Sequence, residues 1–221
     1  NYSMQPILST RQISFLEEFG RNTDFIARFY FTGGTPLAAF YLHHRYSEDL
    51  DFFSEQEVDA ESIGLFIQSL KTKLGFISID FQQNMNRNLF FVHFSDEIIK
   101  MEFTYFPFPR IEIGERHYGI ETDSIIDIAV NKLFSVYQRT VQRDYIDLYL
   151  LCTDKKFIIS DLILKAKIKF DWHIDPLQLG TQFIKASEAK DPPRLIKLIA
   201  PSEWQNFFGK AALELKNTIM E

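Results

Sequence analysis

The chain has 221 residues, a hydrophobic content of 46% and a formal net charge of −6. This acidic balance argues against a protein that coats nucleic acid nonspecifically, and the apolar runs are shorter than the ~20 residues that a membrane span needs. No signal-peptide pattern opens the sequence, and its single cysteine, Cys152, excludes an intramolecular disulfide. We therefore expect a cytoplasmic protein without membrane attachment.

The first informative stretch predicts a strand over residues 29–32 that enters a turn at Gly33 and Gly34. Thr35 and Pro36 then predict a helix start, with an N-cap hydroxyl and a proline at the first helical position; the helix would extend towards residue 47. Such a helix start directs free backbone N–H groups outwards. Gly33, Gly34 and Thr35 are therefore predicted to bind phosphate.

The next predicted strand, residues 48–53, carries Asp49 and Asp51. Residues i and i+2 of a strand point to the same side, so the two carboxylates are close enough to share a divalent cation. Their neighbours are apolar, and carboxylates in such a segment cost several kcal/mol unless a positive charge compensates them. The pattern favours a Mg²⁺ (or Mn²⁺) site.

Three further strands are predicted over residues 76–82, 88–94 and 98–105, and the last of them contains Glu102. Helical periodicity follows over residues 122–139 and again over 143–152. Lys132 falls beside the apolar face of the first of these helices, where a half-buried lysine requires an anion. Arg143 and Asp147 are four residues apart in the second helix and are predicted to pair.

Two blocks of sequence resemble a known family. The segments 31–35 and 44–53, Phe-Thr-Gly-Gly-Thr and His-Arg-Tyr-Ser-Glu-Asp-Leu-Asp-Phe-Phe, resemble the signature of the AbiEii/AbiGii toxin family, which has the nucleotidyltransferase fold of the polymerase-β-like superfamily. A second match covers Lys132-Leu133 and residues 139–148. The resemblance implies an α/β (α+β) fold, with a nucleotidyltransferase-like mixed sheet flanked by helices and a C-terminal helical lobe. Residues 1–121 would form the catalytic core, and residues 122–221 a helical region that completes the site.

The resemblance also implies roles for single residues. A third acid on a neighbouring strand faces the Asp49–Asp51 pair in the superfamily, and Glu102 is in the right kind of strand to complete the metal site; alternatively, it faces solvent on an edge strand. Lys132 would meet the nucleotide phosphates, and Asp144 would position this lysine or the attacking hydroxyl. Arg139 or Arg143 would bind phosphate; alternatively, Arg139, Arg143 and Asp144 form a surface salt-bridge ladder.

The resulting functional hypothesis is metal-dependent transfer of a nucleotide from a nucleoside triphosphate to an acceptor hydroxyl. By resemblance, the acceptor would be an RNA such as tRNA, and the protein the toxin partner of a cognate antitoxin. A small-molecule, antibiotic-type nucleotidyltransferase and a non-catalytic nucleotide-binding module stay open. If the acceptor is RNA, its contacts are expected in the mildly basic part of the chain, residues 151–221, which has 11 Lys and Arg against 9 Asp and Glu. The candidate contacts are Lys155, Lys156, Lys165, Lys167, Lys169 and Arg194.

Overall fold

The computed structural model describes residues 6–220, with side chains as far as residue 216. The chain divides into two compact units, Asn1–Ser124 and Ile125–Glu221, here called the first and the second unit. The functional division expected at residues 121 and 122 stays a prediction.

The first unit combines a sheet with helices. In chain order its main elements are α1 (Thr10–Arg21), α2 (Thr23–Ile26), β1 (Tyr30–Thr32), α3 (Gly34–Pro36), β2 (Leu50–Ser54), α4 (Ala60–Ser69), α5 (Lys71–Leu74), β3 (Ser78–Asn84), β4 (Arg87–His93), β5 (Ile98–Tyr105), β6 (Arg116–His117) and β7 (Ile120–Glu121).

The main sheet has the strand order β1-β2-β5-β4-β3. Strand β2 runs parallel to β5, and the other neighbouring pairs are antiparallel, so the sheet is mixed as predicted. Alternation along the strands buries one face of the sheet, where Phe52 and Phe103 stack with ring centroids 5.2 Å apart. Phe15 and Phe19 of α1 complete this aromatic core. Polar side chains of β2 and β5, among them Asp51 and Glu102, lie on the opposite face.

The segment between β1 and β2 differs from the prediction. Helix α3 continues without interruption as a π-helix, Leu37–Leu42, and ends at His43, which has a left-handed φ of 50°. The predicted helix therefore stops several residues before Ser47. π-Helical turns inside helices are uncommon and are found mostly at functional sites, and sequence periodicity tuned to 3.6 residues per turn does not detect them.

The second unit is built from helices. In chain order they are α6 (Ile125–Gln138), α7 (Gln142–Thr153), α8 (Ile159–Phe170), α9 (Pro176–Ile184), a 3₁₀-helix (Lys185–Glu188) and α10 (Pro201–Met220). Tyr145, Phe183, Trp204 and Phe208 are among its fully buried side chains. Across the part of the chain that the structure describes, no helix is both long and apolar enough to span a membrane.

Candidate active site

The turn after β1 places backbone directly against a carboxylate. Gly33 has φ +85°, which L side chains rarely adopt, and a Cβ built on it would lie 2.7 Å from Oδ2 of Asp51. At Gly34 an added Cβ would overlap with the guanidinium of Arg45, which is itself buried. Both glycines are therefore required by close approach, and together they bring the turn into contact with the side chain of Asp51.

Thr35 has a different role from the one predicted. The N-cap position of α3 is occupied by Gly33, and no side chain caps this helix start. The Thr35 hydroxyl is fully buried and forms hydrogen bonds with Ser47 Oγ, at 2.8 Å, and with the backbone carbonyl of Asp49. The expectation of an N-cap hydroxyl is wrong because this hydroxyl fixes the segment that leads to Asp49.

Two of the three predicted carboxylates, Asp51 and Glu102, lie on neighbouring strands, and Asp49 lies just outside because the strand predicted from residue 48 begins at Leu50. Asp49 directly precedes β2, and Asp51 lies within it. Asp51 is the register partner of Glu102 on the parallel strand β5, so their side chains leave the same face of the sheet. Strand β5 is central, and Glu102 is only 7% exposed. The alternative that placed Glu102 on the solvent face of an edge strand is wrong.

Two basic side chains that the sequence analysis did not assign neutralise this acidic face. Lys100 Nζ lies 2.7 Å from Asp49 Oδ2. Arg87 pairs with Glu102 through two hydrogen bonds of 2.6 Å each. The alternation Lys100-x-Glu102 already puts both residues on one face of a strand, but it does not reveal which strands lie on either side. Arg87 lies just outside the strand predicted over residues 88–94 and is instead the first residue of β4.

The electrostatics of Glu102 follow from this pairing. Burial alone raises the pKa of its carboxyl, but the hydrogen bonds and charge of Arg87 outweigh burial, and the pKa lies below the usual value. The pKa of the Arg87 guanidinium is raised, first by its hydrogen bonds to Glu102 and also by the charges of Asp51 and Asp49. Glu102 is thus ionised at neutral pH.

Two of the three carboxylates are accessible to a divalent cation. Carboxylate oxygens are the ligands that Mg²⁺ prefers, and Asp49 and Asp51 are half-exposed. Glu102, in contrast, accepts bonds from Arg87 and from the Thr104 hydroxyl at 2.9 Å. Among the described residues, no group of three or more His, Cys, Asp or Glu side chains is arranged to hold a metal ion. Glu102 as a third ligand stays a prediction.

In the second unit, Lys132 is anchored by buried aspartates. Its Nζ atom lies 2.8 Å from Oδ1 of Asp144 and 2.8 Å from Oδ2 of Asp147, both of which are inaccessible to solvent. Arg139 also donates to Asp144, at 2.8 Å. Burial raises the pKa of the Asp144 carboxyl, but the charges of Lys132 and Arg139 outweigh it and lower the pKa overall. Asp144 thus forms a buried ion pair with Lys132, and its predicted role in positioning this lysine for the reaction stays a prediction.

These contacts correct two expectations about α7. Asp147 pairs with Lys132, and Arg143 is exposed, so the predicted pair of Arg143 and Asp147 is not formed. The surface-ladder alternative is also wrong, because Asp144 is fully buried. The predicted phosphate contacts of Lys132, Arg139 and Arg143 stay predictions.

Lys169 does not belong with the exposed lysines. Its Nζ atom lies 2.7 Å from Oδ1 of Asp127, and both side chains are completely buried. We therefore remove Lys169 from the candidate RNA contacts. In α7, burial raises the pKa of the Cys152 thiol to about 12, so this cysteine is a packed side chain and not a thiolate nucleophile.

The mixed sheet, the Gly-Gly turn and the two aspartates beside it define a protein of the nucleotidyltransferase class. A family model described as "Nucleotidyl transferase AbiEii toxin, Type IV TA system" matches residues 15–218. The chain belongs to this family, and the predicted family, fold class and enzyme class are confirmed.

Proteins similar to this chain include one from Aquifex aeolicus and two from Helicobacter pylori. The uncharacterized protein aq_aa25 of Aquifex aeolicus strain VF5 is 30% identical over 146 residues, which are 64% of this chain and 66% of that protein, slightly less than two thirds of its length. JHP933 from Helicobacter pylori has a similar structure, with a TM-score of 0.60, 19% identity and coverage of 98% of this chain and 94% of its own. A candidate nucleotidyltransferase from H. pylori gives a TM-score of 0.59 at 20% identity, with 96% and 98% covered. At these identities the two structures support the fold alone.

Proposed function

We propose that the protein catalyses metal-dependent nucleotidyl transfer from a nucleoside triphosphate to an acceptor hydroxyl. The hydroxyl oxygen forms a bond to the α-phosphorus, the bond from that phosphorus to the leaving oxygen breaks, and pyrophosphate departs. Asp49 and Asp51 hold Mg²⁺ or Mn²⁺, which supplies charge neutralisation for the phosphates. The backbone N–H groups at Gly33 and Gly34 bind phosphate, and the acceptor proton passes to a carboxylate of the acidic face or to solvent.

The observation that carries this proposal is the contact between the Gly33 backbone and the Asp51 carboxylate. A turn with no Cβ leaves backbone N–H groups accessible, and Asp51 lies against that same turn. Triphosphate and carboxylate repel each other unless a cation lies between them. A phosphate-binding turn in contact with a carboxylate is therefore suited to a ligand that arrives with its own divalent cation.

Membership of the family supports a proposal for the acceptor and the biological role. We propose an RNA such as tRNA as the acceptor, a role as the toxin of a toxin–antitoxin pair with a cognate antitoxin protein, and a location in the cytoplasm, where RNA and nucleoside triphosphates are available. The exposed Lys155 and Lys156 support an RNA contact in the second unit. A small antibiotic-type acceptor remains the alternative substrate, and a non-catalytic nucleotide-binding module the alternative function.

The test uses the full chain with each of the four labelled nucleoside triphosphates, Mg²⁺ and total RNA, followed by separation of RNA from small products. Label in RNA supports the proposal, whereas label in a small product favours the alternative acceptor. Asp24→Asn is the matched control for variants of Asp49 and Asp51, because Asp24 is an exposed carboxylate on α2. Binding of nucleotide without any transfer would support the binding module and contradict the proposal.

A further inference from the structure

The pair formed by Arg87 and Glu102 is more than a charge contact. Nε of Arg87 donates to Oε1 of Glu102, and Nη2 donates to Oε2, both at 2.6 Å. The Thr104 hydroxyl donates to Oε1 as well, at 2.9 Å. Both carboxylate oxygens therefore have hydrogen-bond donors in the plane of a guanidinium, which is the strongest and most directional form of an ion pair.

The two partners differ in their access to solvent. The side chain of Glu102 is 9% exposed, whereas that of Arg87 is 45% exposed. A side-on pair through Nε and Nη2 leaves Nη1 on the opposite edge of the guanidinium, and Nη1 has no hydrogen-bond partner among the residues that the structure describes. The buried glutamate thus holds an arginine whose remaining N–H groups face outwards.

The position of Arg87 indicates what those N–H groups bind. Arg87 is bonded to Glu102, and Glu102 is the register partner of Asp51, so Arg87 lies on the face of the sheet that carries the aspartate proposed to hold the metal. A cation at that place opposes metal binding unless its own charge is compensated, and Glu102 supplies the compensation. Its outward N–H groups then suit an anion that reaches the site together with a metal.

We propose that Arg87 binds a phosphate group of the nucleoside triphosphate, and that Glu102 is a positioning residue for Arg87 and not a metal ligand. This inference rests on the proposed function. It divides the carboxylates of this face into two groups. Asp49 and Asp51 bind the metal, whereas Glu102, with Thr104, fixes the orientation of Arg87.

The test measures two kinds of binding separately, without turnover. Mn²⁺ binding in the absence of nucleotide is followed by electron paramagnetic resonance, and binding of a non-hydrolysable nucleoside triphosphate in Mg²⁺ is followed by calorimetry. The variants are Arg87→Gln, Arg87→Lys, Glu102→Gln and the double variant Arg87→Gln/Glu102→Gln. Arg11→Gln is the matched control, since Arg11 pairs with Asp96 and Glu97 at the turn between β4 and β5.

We expect Arg87→Gln and Glu102→Gln each to weaken nucleotide binding by about ten- to a hundredfold, the range for loss of one charged hydrogen-bonding contact. The double variant should be no weaker than Arg87→Gln, because Glu102 acts only through Arg87. The number of bound Mn²⁺ ions should not change in any of them. Arg87→Lys keeps the charge next to Glu102, so it should fold even if Arg87→Gln does not, and it should still bind nucleotide several-fold more weakly.

Loss of Mn²⁺ in Glu102→Gln, or unchanged nucleotide affinity in both Arg87 variants, would overturn the inference. The variant Asp51→Asn shows whether only this inference is wrong or whether the proposed function is wrong as well. If Asp51→Asn loses Mn²⁺ while the Arg87 variants bind nucleotide normally, only the role of Arg87 is wrong. If Asp51→Asn binds Mn²⁺ and nucleotide like the wild type, the proposed metal site itself is wrong, and the inference fails with it.

Discussion

Asp51 and Glu102 lie opposite each other on neighbouring parallel strands, and Glu102 forms a two-bond pair with Arg87. Two like charges on adjacent strands repel each other. Replacing Asp51 by Asn removes one of them, so the free energy of unfolding should stay within about 0.5 kcal/mol of the wild type or rise slightly. Urea denaturation without metal measures this.

Asp49→Asn provides a comparison for that prediction. It also removes a negative charge, but it breaks the pair with Lys100, whose side chain is 28% exposed against 38% for Asp49. Because such partly exposed pairs contribute little, the loss should be at most about 1 kcal/mol. If Asp51→Asn is much less stable than Asp49→Asn, then Asp51 stabilises the apo fold and repulsion is not its main interaction.

The pH dependence of stability tests the Arg87–Glu102 pair. The folded pKa of Glu102 is lowered, so the pair contributes stability fully above the unfolded value of about 4.3 and loses it as the pH falls through the lower folded pKa. The wild type should therefore be more stable than Glu102→Gln at about pH 7, and the difference should shrink towards about pH 3. Urea denaturation at several pH values gives the difference in the free energy of unfolding between the wild type and Glu102→Gln. A difference that does not change with pH would contradict the ion pair of Arg87 and Glu102.

Lys132→Met should strongly destabilise the protein. It leaves the buried carboxylates of Asp144 and Asp147 without their shared lysine, and breaking a buried pair on one side costs about 3–5 kcal/mol. The matched control is Arg143→Met on the exposed side of α7, which should change stability by less than about 0.5 kcal/mol. Thermal and urea denaturation measure both. Equal, small effects would show that Lys132 does not neutralise the two aspartates.

Much of the architecture could be predicted from the sequence, because alternation and helical periodicity report burial directly. The strands that contain Asp51 and Glu102 were predicted, as were the main helices that contain Lys132 and Asp144. Partners across strands and between helices could not be predicted, because they depend on register and packing at long sequence separation. Arg87 was therefore left outside the predicted strands, Asp147 was paired with Arg143, and the buried Lys169 was grouped with exposed lysines.

The second unit allows a test of RNA binding. With Lys169 buried against Asp127, the exposed candidates include Lys155, Lys156 and Lys167. Few phosphates can then be neutralised, so the affinity for RNA should fall with salt at a log–log slope of about −2 to −4. Changing Lys155 and Lys156 to Glu should raise the apparent KM for RNA and leave that for the nucleotide unchanged. Steady-state kinetics with varied RNA decides this, and no change in either KM would favour a small acceptor.

The transfer of labelled nucleotide by wild type and Asp51→Asn, compared in Mg²⁺ and in EDTA, tests the central claim most directly. The account predicts that the wild type attaches label to an acceptor only in Mg²⁺, and that Asp51→Asn fails to do so although it remains folded. The exposed control Asp24→Asn should transfer label at the wild-type rate. Transfer by Asp51→Asn at the wild-type rate, or equal transfer by the wild type in EDTA, would contradict the account.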